Sequence, residues 1–555
     1  MVRLNLARCL ALAAALGAAL FAACAPQAPR APKHVLLLVI DTQRADRLGS
    51  YGNMRGLTPV LDALAREGVV FENCISQASW TSPSMVSMMS GQAISEEVMT
   101  LPENKPTLAE RFRAQGWRTG GFVCNNILDE KHGFGRGFEE YQCQLPPYGE
   151  NTPILEWLRA RRAERTFTWV HLNEVHDEKH PELGPTYWPI PPELWRKWRD
   201  VREGIPGARE QYYSSISERL ALQDGAASRE RIQADLGGYD DDVRYEDNRI
   251  AEIFAELKQL GLWEDTLIVI AADHGEGLYT REQFLSGTRK SALERGEAPT
   301  LVNTLQMTHG SQGYWELIHV PLILKAPGLA PARVAGYVEN TDIAPTLVEL
   351  AQLGSGEGLQ GRSLVPLALD PDNAGLLAPQ VFSYTRYHSG VITQSGMHLL
   401  VPSPRGECDF GLVPELYDLK RDPECRRNLL QAGGREGGEA ARLAAELDPQ
   451  LRRREAQGLH GAPTQLDEGT QAKLAGLGYI GSEVVDQLRS DLLGKSTEVL
   501  LNDLERTYAH DCLLRHEVAR ALFGRKLQPE ERTRIEAVLR KEPSAAVQAA
   551  LRRLL

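Results

Sequence analysis

The run His34-Val35-Leu36-Leu37-Leu38-Val39-Ile40 limits the possible folds more than any other stretch of this 555-residue chain. It has no polar face, so it reads as a strand covered on both sides, as in a parallel sheet. The run halts at Asp41. Polar residues just past the carboxyl end of such a strand stand where open α/β sheets place ligands. The same syntax recurs at Phe167 to His171 and at Thr266 to Ala272, the latter ending in Asp273-His274. A fourth run, Val320 to Leu324, contains Pro321 and reads as an edge strand. Amphipathic helices alternate with these strands. One is Pro59 to Glu67, with Leu61, Leu64 and Ala65 on one side. Another is Asp242 to Leu260, with Val243, Ile250, Ile253, Phe254 and Leu257 near helical spacing. Strand and helix in alternation predict an α/β sandwich with a mostly parallel central sheet flanked by helices.

The ends of the chain have a different texture. Arg3 and Arg8 accompany an almost unbroken Ala/Leu/Gly/Phe run from Cys9 to Cys24. This is a charged n-region and an apolar h-region, too short and Ala-rich for a comfortable membrane span. Ala22-Ala23-Cys24 is similar to a bacterial lipobox, with Cys24 lipidated; the alternative is ordinary cleavage after Ala25. Both readings export the chain, as an outer-membrane lipoprotein or into the periplasm, with membrane contact only through the anchor on Cys24. Residues 25–33 form a Pro/Ala-rich tether. From about Gln431 strand signals vanish. Gly433 to Gly438 reads as a linker, and Thr464 to Ile480 and Glu483 to Leu555 read as helices. The segments 517–522 and 546–551 suggest a HEAT-like repeat, or an appendage packed on the main domain. The division expected is thus 1–24 signal, 25–33 tether, 34–430 catalytic domain, 431–482 helical tail and linker, and 483–555 an all-helical extension.

Composition excludes several classes. With 42% hydrophobic residues the chain has ample apolar surface to bury, so whole-chain disorder is excluded. A net charge of −12 excludes a general nucleic-acid binder, which needs a basic surface. The cysteines lack CxxC spacing, which argues against a zinc cluster. In an oxidising compartment, Cys124–Cys143 and Cys408–Cys425 are candidate disulfides.

Four groups carry the chemistry. Asp41 closes the first strand, and Asp273 and His274 close a late one. Thr81 lies in Ser79-Trp80-Thr81-Ser82-Pro83-Ser84-Met85. Carboxylates, an imidazole and a hydroxyl together suit a divalent cation. A cation against Thr81 would lower its hydroxyl pKa and make it a nucleophile. Pro83 and Ser84 mark a helix start, where free N–H groups favour an anion. Taken singly, Asp41 reads as a turn residue and Thr81 as a helix cap.

The opening Asp41-Thr42-Gln43-Arg44-Ala45-Asp46-Arg47-Leu48-Gly49-Ser50-Tyr51-Gly52 resembles that of sulfatases, members of the alkaline phosphatase superfamily. The resemblance continues through Ser79 to Gly91, Val170-His171 to Val175-His176, Tyr239 to Asp247 and Ala272-Asp273-His274-Gly275-Glu276. It then runs through His309-Gly310, Asp342-Ile343-Ala344-Pro345-Thr346-Leu347 and Glu415-Leu416-Tyr417-Asp418-Leu419, spanning about 34–430. It implies an alkaline phosphatase-like sandwich. It also implies one divalent cation (Mn, Zn, Mg or Ca) held by Asp41, Thr81, Asp273 and His274, with Thr81 at the nucleophile position. His176 and His309 match histidines that bind the ester or protonate its leaving oxygen. Asn125 and His171 match substrate-side polar groups, and His171 is equally a residue that fixes the strand end.

The sequence departs from the sulfatase pattern in ways that bear on chemistry. Sulfatases oxidise a Cys or Ser at the position of Thr81 to formylglycine. Thr81 has a methyl on its β-carbon and cannot become that aldehyde, so no formylglycine is expected. Met85 stands where an Arg is usual, and Thr42 where many members have a second Asp. A metal-bound Thr is similar to lipoteichoic acid synthases and phosphoethanolamine transferases, and the single early Asp to phosphonate monoester hydrolases. A phosphothreonine can be discharged by water or an alcohol in a second in-line step, whereas a sulfothreonine has no elimination route. The expectation is therefore a hydrolase or transferase acting on an anionic ester of a glycan, lipid or small molecule, with phosphodiesters favoured. Two alternatives stay open: an arylsulfatase-like sulfuric ester hydrolase, and a catalytically silent surface module that binds anionic glycans and recruits a protein through its helical tail.

Overall fold

The computed structural model describes residues 29–94, 98–143, 145, 150–176, 226–278, 280, 309–310, 312–403, 412–425, 427–459, 492–506, 518–519, 521–523, 525–541, 545–552 and 554–555, with the side chains of 226–234, 503, 506, 545, 546 and 549 left aside. Eight strands form the central sheet: β1 (His34–Ile40), β2 (Val69–Ile75), β3 (Arg118–Val123), β4 (Glu140–Cys143), β5 (Thr166–Leu172), β6 (Thr266–Ala272), β7 (His319–Lys325) and β8 (Ala332–Glu339). Their order is β4-β3-β5-β1-β6-β7-β2-β8. The first five in that order run parallel, and β7 runs against both β6 and β2. The chain thus has a mixed α/β architecture with a mostly parallel central sheet flanked by helices.

The unbroken apolar run of β1 is explained by its position. Val35, Leu37 and Val39 enter one core with Phe71, Phe112 and Phe167. Leu36, Leu38 and Ile40 enter the opposite core with Tyr239, Ile250 and Phe254. Side chains alternate between faces, so a strand buried on both needs apolar residues at every position. Each such side chain stabilises the fold by roughly 1.5–3 kcal/mol through burial.

The helix Pro59–Glu67 buries Leu61 and Leu64 and begins with Pro at its first turn, where a missing N–H costs nothing. Its free amides are capped from elsewhere in the chain: Val60 and Leu61 N–H donate to Asp247 at 3.0 and 2.9 Å. Asp247 lies on the helix Ala226–Gln259, which starts earlier than the predicted Asp242. The helix Thr81–Ser90 is buried at every residue and stops at Gly91, whose φ of 65° favours glycine.

A second sheet, antiparallel throughout, contains β9 (Gln380–Tyr384), β10 (His388–Thr393), β11 (Met397–Pro402) and β12 (Glu415–Asp418) in the order β12-β11-β10-β9. The helix Gly434–Gln457 sends Ala440, Leu447 and Leu451 into the core that covers the central sheet. Farther on, Leu500, Leu504, Val518, Leu522, Ile535, Val547 and Leu551 form a core of their own among short helices. Among the described residues no helix is long and apolar enough to cross a membrane.

Three sequence expectations need correction. β7 is an interior strand despite Pro321. Pairing with β6 ends at Leu322, and on the other side β2 shifts register between Phe71 and Cys74, so the missing proline N–H falls where no ladder bond is needed. Gly434 to Gly438 is not a linker but the first turns of the helix Gly434–Gln457. Cys124 and Cys143 are not bridged. Cys124 is a reduced, buried thiol in one core, whereas Cys143 packs against the other, so their side chains point to opposite faces of the sheet. Cys408, the signal region and Thr464 to Ile480 lie outside the described residues.

Candidate active site

Strand register builds the site. In the β1–β5 and β1–β6 pairs, Ile40 lies opposite Leu172 and Ala272. Asp41 and Asp273 are the next residues and leave the sheet side by side. Val123 lies opposite His171, so Asn125 also emerges at this level. The backbone bends sharply there: Thr42 has φ of 57°, unusual for a β-branched residue and frequent at functional sites. That bend lets the Thr42 N–H donate to Asp273 Oδ1 at 3.2 Å, while the Thr42 hydroxyl donates to the Asp41 carbonyl at 2.7 Å. Gly275 is required by a close approach, since a Cβ there would sit 2.1 Å from the Glu316 carbonyl oxygen.

Asp41, Asp273 and His274 are fully buried, and one potential ligand atom from each lies within 4.8 Å of the others. Thr81 Oγ1 is 3.2 Å from His274 Nε2 and 3.4 and 3.5 Å from the two Asp41 oxygens. His274 Nε2 is 3.4 Å from Asp41 Oδ1 and 3.5 Å from Asp273 Oδ2. His274 Nδ1 lies 2.9 Å from the Gly275 carbonyl oxygen, which fixes the hydrogen on Nδ1 and leaves Nε2 facing the acids. Asp273 Oδ1 accepts two backbone N–H groups, but the buried Oδ2 has no hydrogen-bond partner among the described residues. A carboxylate oxygen left bare beside a second acid, an imidazole nitrogen and a hydroxyl fits a cation ligand set.

The electrostatics agree with that fit. Burial works against ionisation of Asp41, yet the surrounding histidines hold its pKa far below the ordinary carboxylate value. Burial likewise disfavours a charged His274, but Asp273 and Asp41 outweigh it and raise its pKa to about 9. The two buried acids thus favour a positive charge between them, which a protonated imidazole or a cation supplies.

The other candidates surround this centre. Asn125 Nδ2 donates to Asp41 Oδ2 at 2.9 Å, so Asn125 is bound to the acid directly. His171 is fully buried, with Nε2 3.6 Å from Asp273 Oδ2. His176 and His309 have ring centroids 5.1 Å apart, and the His309 ring lies 4.3 Å from that of His274. His309 Nδ1 is 2.8 Å from Glu276 Oε2. Burial opposes ionisation of Glu276, but His309 and the Gly277 amide keep its pKa low, so it accepts the Nδ1 hydrogen and turns Nε2 away. Burial holds the His309 pKa below the usual imidazole value, against the pull of Glu276.

Sequence reasoning did not single out Glu276, although it stood within the Asp273-His274-Gly275-Glu276 run. It also missed Ser76 and Asn340 and took Ser84 only as a helix-start residue; the three side chains form one buried network. Nothing local marks these residues.

Residues 33–353 match the sulfatase family, and residues 312–457 match the N-sulphoglucosamine sulphohydrolase C-terminal family. This chain belongs to the sulfatase family. It is a sulfatase-family hydrolase of the alkaline phosphatase superfamily, and the second match places the end of the family region at the close of the helix Gly434–Gln457. Among curated relatives, the Delta 4,5-hexuronate-2-O-sulfatase of Bacteroides thetaiotaomicron is 25% identical over 451 residues, covering 73% of this chain and 86% of that protein. The ulvan-active sulfatase of Formosa agariphila is 23% identical over 371 residues; the match spans 61% of this chain and 65% of that one. The phosphonate monoester hydrolase of Agrobacterium radiobacter has the same fold, with a TM-score of 0.53 at 20% identity, covering 78% of this chain and 96% of its own. A 2-O GAG sulfatase superposes equally well, with a TM-score of 0.53 at 20% identity over 79% of this chain and 96% of its own.

Proposed function

We propose that this protein is an exported, metal-dependent ester hydrolase or transferase in which Thr81 is the nucleophile and phosphodiesters are preferred to sulfate esters. The observation that carries the reading is the position of Thr81 Oγ1, 3.2–3.5 Å from His274 and Asp41 at the start of a buried helix. Asp41, Asp273, His274 and Thr81 would hold one divalent cation, which when bound supplies charge to offset the non-bridging oxygens of the ester. Mn²⁺, Zn²⁺ and Mg²⁺ suit this set at least as well as Ca²⁺, because it includes an imidazole and few carboxylates.

The residues of the chain divide the remaining work. Asn125 fixes Asp41 through its hydrogen bond, and His171 lies beside Asp273 at 3.6 Å. Thr81 Oγ1, its pKa lowered when the cation is bound, would release its proton to water and attack phosphorus in line; its O–P bond forms as the ester O–P bond breaks. His309 or His176 gives a proton to the leaving oxygen. Water or an alcohol then displaces the Thr81 oxygen and releases the phosphate product. The hydroxyls of Ser79 and Ser82, on either side of Thr81, are buried without hydrogen-bond partners among the described residues and are available to an anion. Export rests on the signal-like residues 1–24, and the lipid anchor on Cys24.

The alternative is hydrolysis of sulfate esters. It is favoured by the names of the curated relatives, which are sulfatases acting on ulvan and hexuronate substrates. An assay pairing an aryl phosphodiester with an aryl sulfate decides between them. Phosphodiester turnover that is lost in Thr81→Ala supports the reading. Full turnover in Thr81→Ala removes the nucleophile, and a higher kcat/KM for the sulfate removes the preference for phosphorus.

A further inference from the structure

The turn at the end of β8 grips the nucleophile helix. Asn340 Nδ2 donates to Ser84 Oγ at 2.9 Å and to Ser76 Oγ at 3.3 Å. Asn340 Oδ1 accepts the Gln77 N–H at 3.2 Å, and Thr341 Oγ1 lies 3.0 Å from Ser87 Oγ. Ser84 Oγ in turn donates to the backbone carbonyl of Asp273 at 2.6 Å. One short turn therefore ties the helix Thr81–Ser90 to the strand end that bears Asp273 and His274.

Two buried carboxylates hold that turn in shape. The Glu339 N–H donates to Asp342 Oδ2 at 3.0 Å, the Arg362 N–H to Asp342 Oδ1 at 2.6 Å, and the Phe382 N–H to Glu339 Oε1 at 2.7 Å. Two acids at such close quarters cannot both ionise out of water without a counter-charge. Arg454 supplies it from the helix Gly434–Gln457. Its guanidinium nitrogen is 3.3 Å from Glu339 Oε2, both side chains are largely buried, and the guanidinium lies 5.8 Å above the Phe382 ring. Burial first, and then the neighbouring Glu339 charge, push Asp342 up to about 7. The Cys74 thiol on β2 feels both acids, and Tyr384 on β9 faces Glu339 together with Arg454, Glu455 and Arg452.

We propose that Arg454 is a positioning residue: by neutralising the Glu339–Asp342 pair it keeps the Asn340–Thr341 turn, and through it the nucleophile helix, set against the Asp273 strand end. The catalytic consequence rests on the assignment of Thr81 as nucleophile; the mechanical one does not. Helix Gly434–Gln457 is thus a strut for the site, although it contributes nothing to the chemistry.

The test uses the full chain and compares wild type, Arg454→Met, Arg454→Lys and the double variant Arg454→Met/Glu339→Gln. Backbone hydrogen exchange over residues 76–90, corrected for intrinsic rates, is read at pH 6 and pH 8.5, together with turnover. In Arg454→Met exchange should quicken by about tenfold or more at pH 8.5. It should return towards wild type at pH 6, where a proton replaces the missing guanidinium. Glu339→Gln in the same background should restore protection at both pH values, and Arg454→Lys should stay within about threefold of wild type because it keeps the charge. Unchanged exchange in Arg454→Met overturns the proposal. So does a rise that is equal at both pH values and unrelieved by Glu339→Gln, the pattern of a merely packed side chain. Should Arg454→Met fail to fold, the double variant decides: the proposal stands only if it folds and protects residues 76–90 as wild type does. If exchange behaves as stated while even wild type turns over neither ester, the strut stands and the Thr81 assignment falls.

Discussion

Removing the proposed cation should convert the site into a pH-dependent weakness of the fold. Without metal, His274 supplies the positive charge between Asp41 and Asp273, and its pKa is raised to about 9. In an unfolded chain a histidine titrates near ~6.5. Between these values the folded chain keeps a proton that the unfolded chain has released. Folding stability is therefore fully present below pH ~6.5 and falls as pH rises through about 9. At ~1.36 kcal/mol per pH unit, the whole interval is worth ~3 kcal/mol, and full burial of His274 leaves no solvent screening to discount. The assay is urea denaturation in EDTA at half-unit steps from pH 6 to pH 9.5, repeated with excess Mn²⁺. The metal-loaded protein should lose that decline and stay level above pH ~6.5, because cation binding displaces the proton and its gain with pH cancels the loss. His274→Asn should abolish the slope in EDTA. A flat or rising stability of the chelated wild type, or the same decline in His274→Asn, would refute the account of His274 as the stand-in charge.

Other outcomes follow from single contacts. Asn125→Ala removes the 2.9 Å hydrogen bond to Asp41 and should weaken cation binding about tenfold or more, read by titration calorimetry, since bonds to charged groups contribute ~1.5–3 kcal/mol. Gly275→Ala forces a methyl to 2.1 Å from a backbone oxygen that cannot swing aside; it should cost at least ~1–3 kcal/mol in denaturant titrations and lower kcat by displacing His274. Glu276→Gln unties His309 Nδ1 and should cut kcat roughly 10²-fold with little change in KM, measured with an aryl phosphodiester. Unaltered kcat would separate His309 from the proton transfer.

The sequence by itself determined the strand-end chemistry. A seven-residue run with no polar position has to be covered on both faces, and the acid that stops it has to leave the sheet at its edge. That reasoning located Asp41 and Asp273 without any contact map, because apolar periodicity is a local property. The covalent structure of Thr81 likewise rules out an aldehyde in any fold. The tertiary structure alone decided what depends on register and on which face a side chain takes. Pro321 reads as an edge marker until the shifted pairing of β2 shows an interior position where its absent N–H is harmless. Cys124 and Cys143 look like a pair in sequence, and opposite faces of one sheet separate them. Asn340 reaches Ser84 across 256 residues and Arg454 reaches Glu339 across 115; no pattern near either residue encodes such contacts. Local sequence sets the periodicity of each element, whereas these partnerships arise only when packed elements bring distant side chains within hydrogen-bond range.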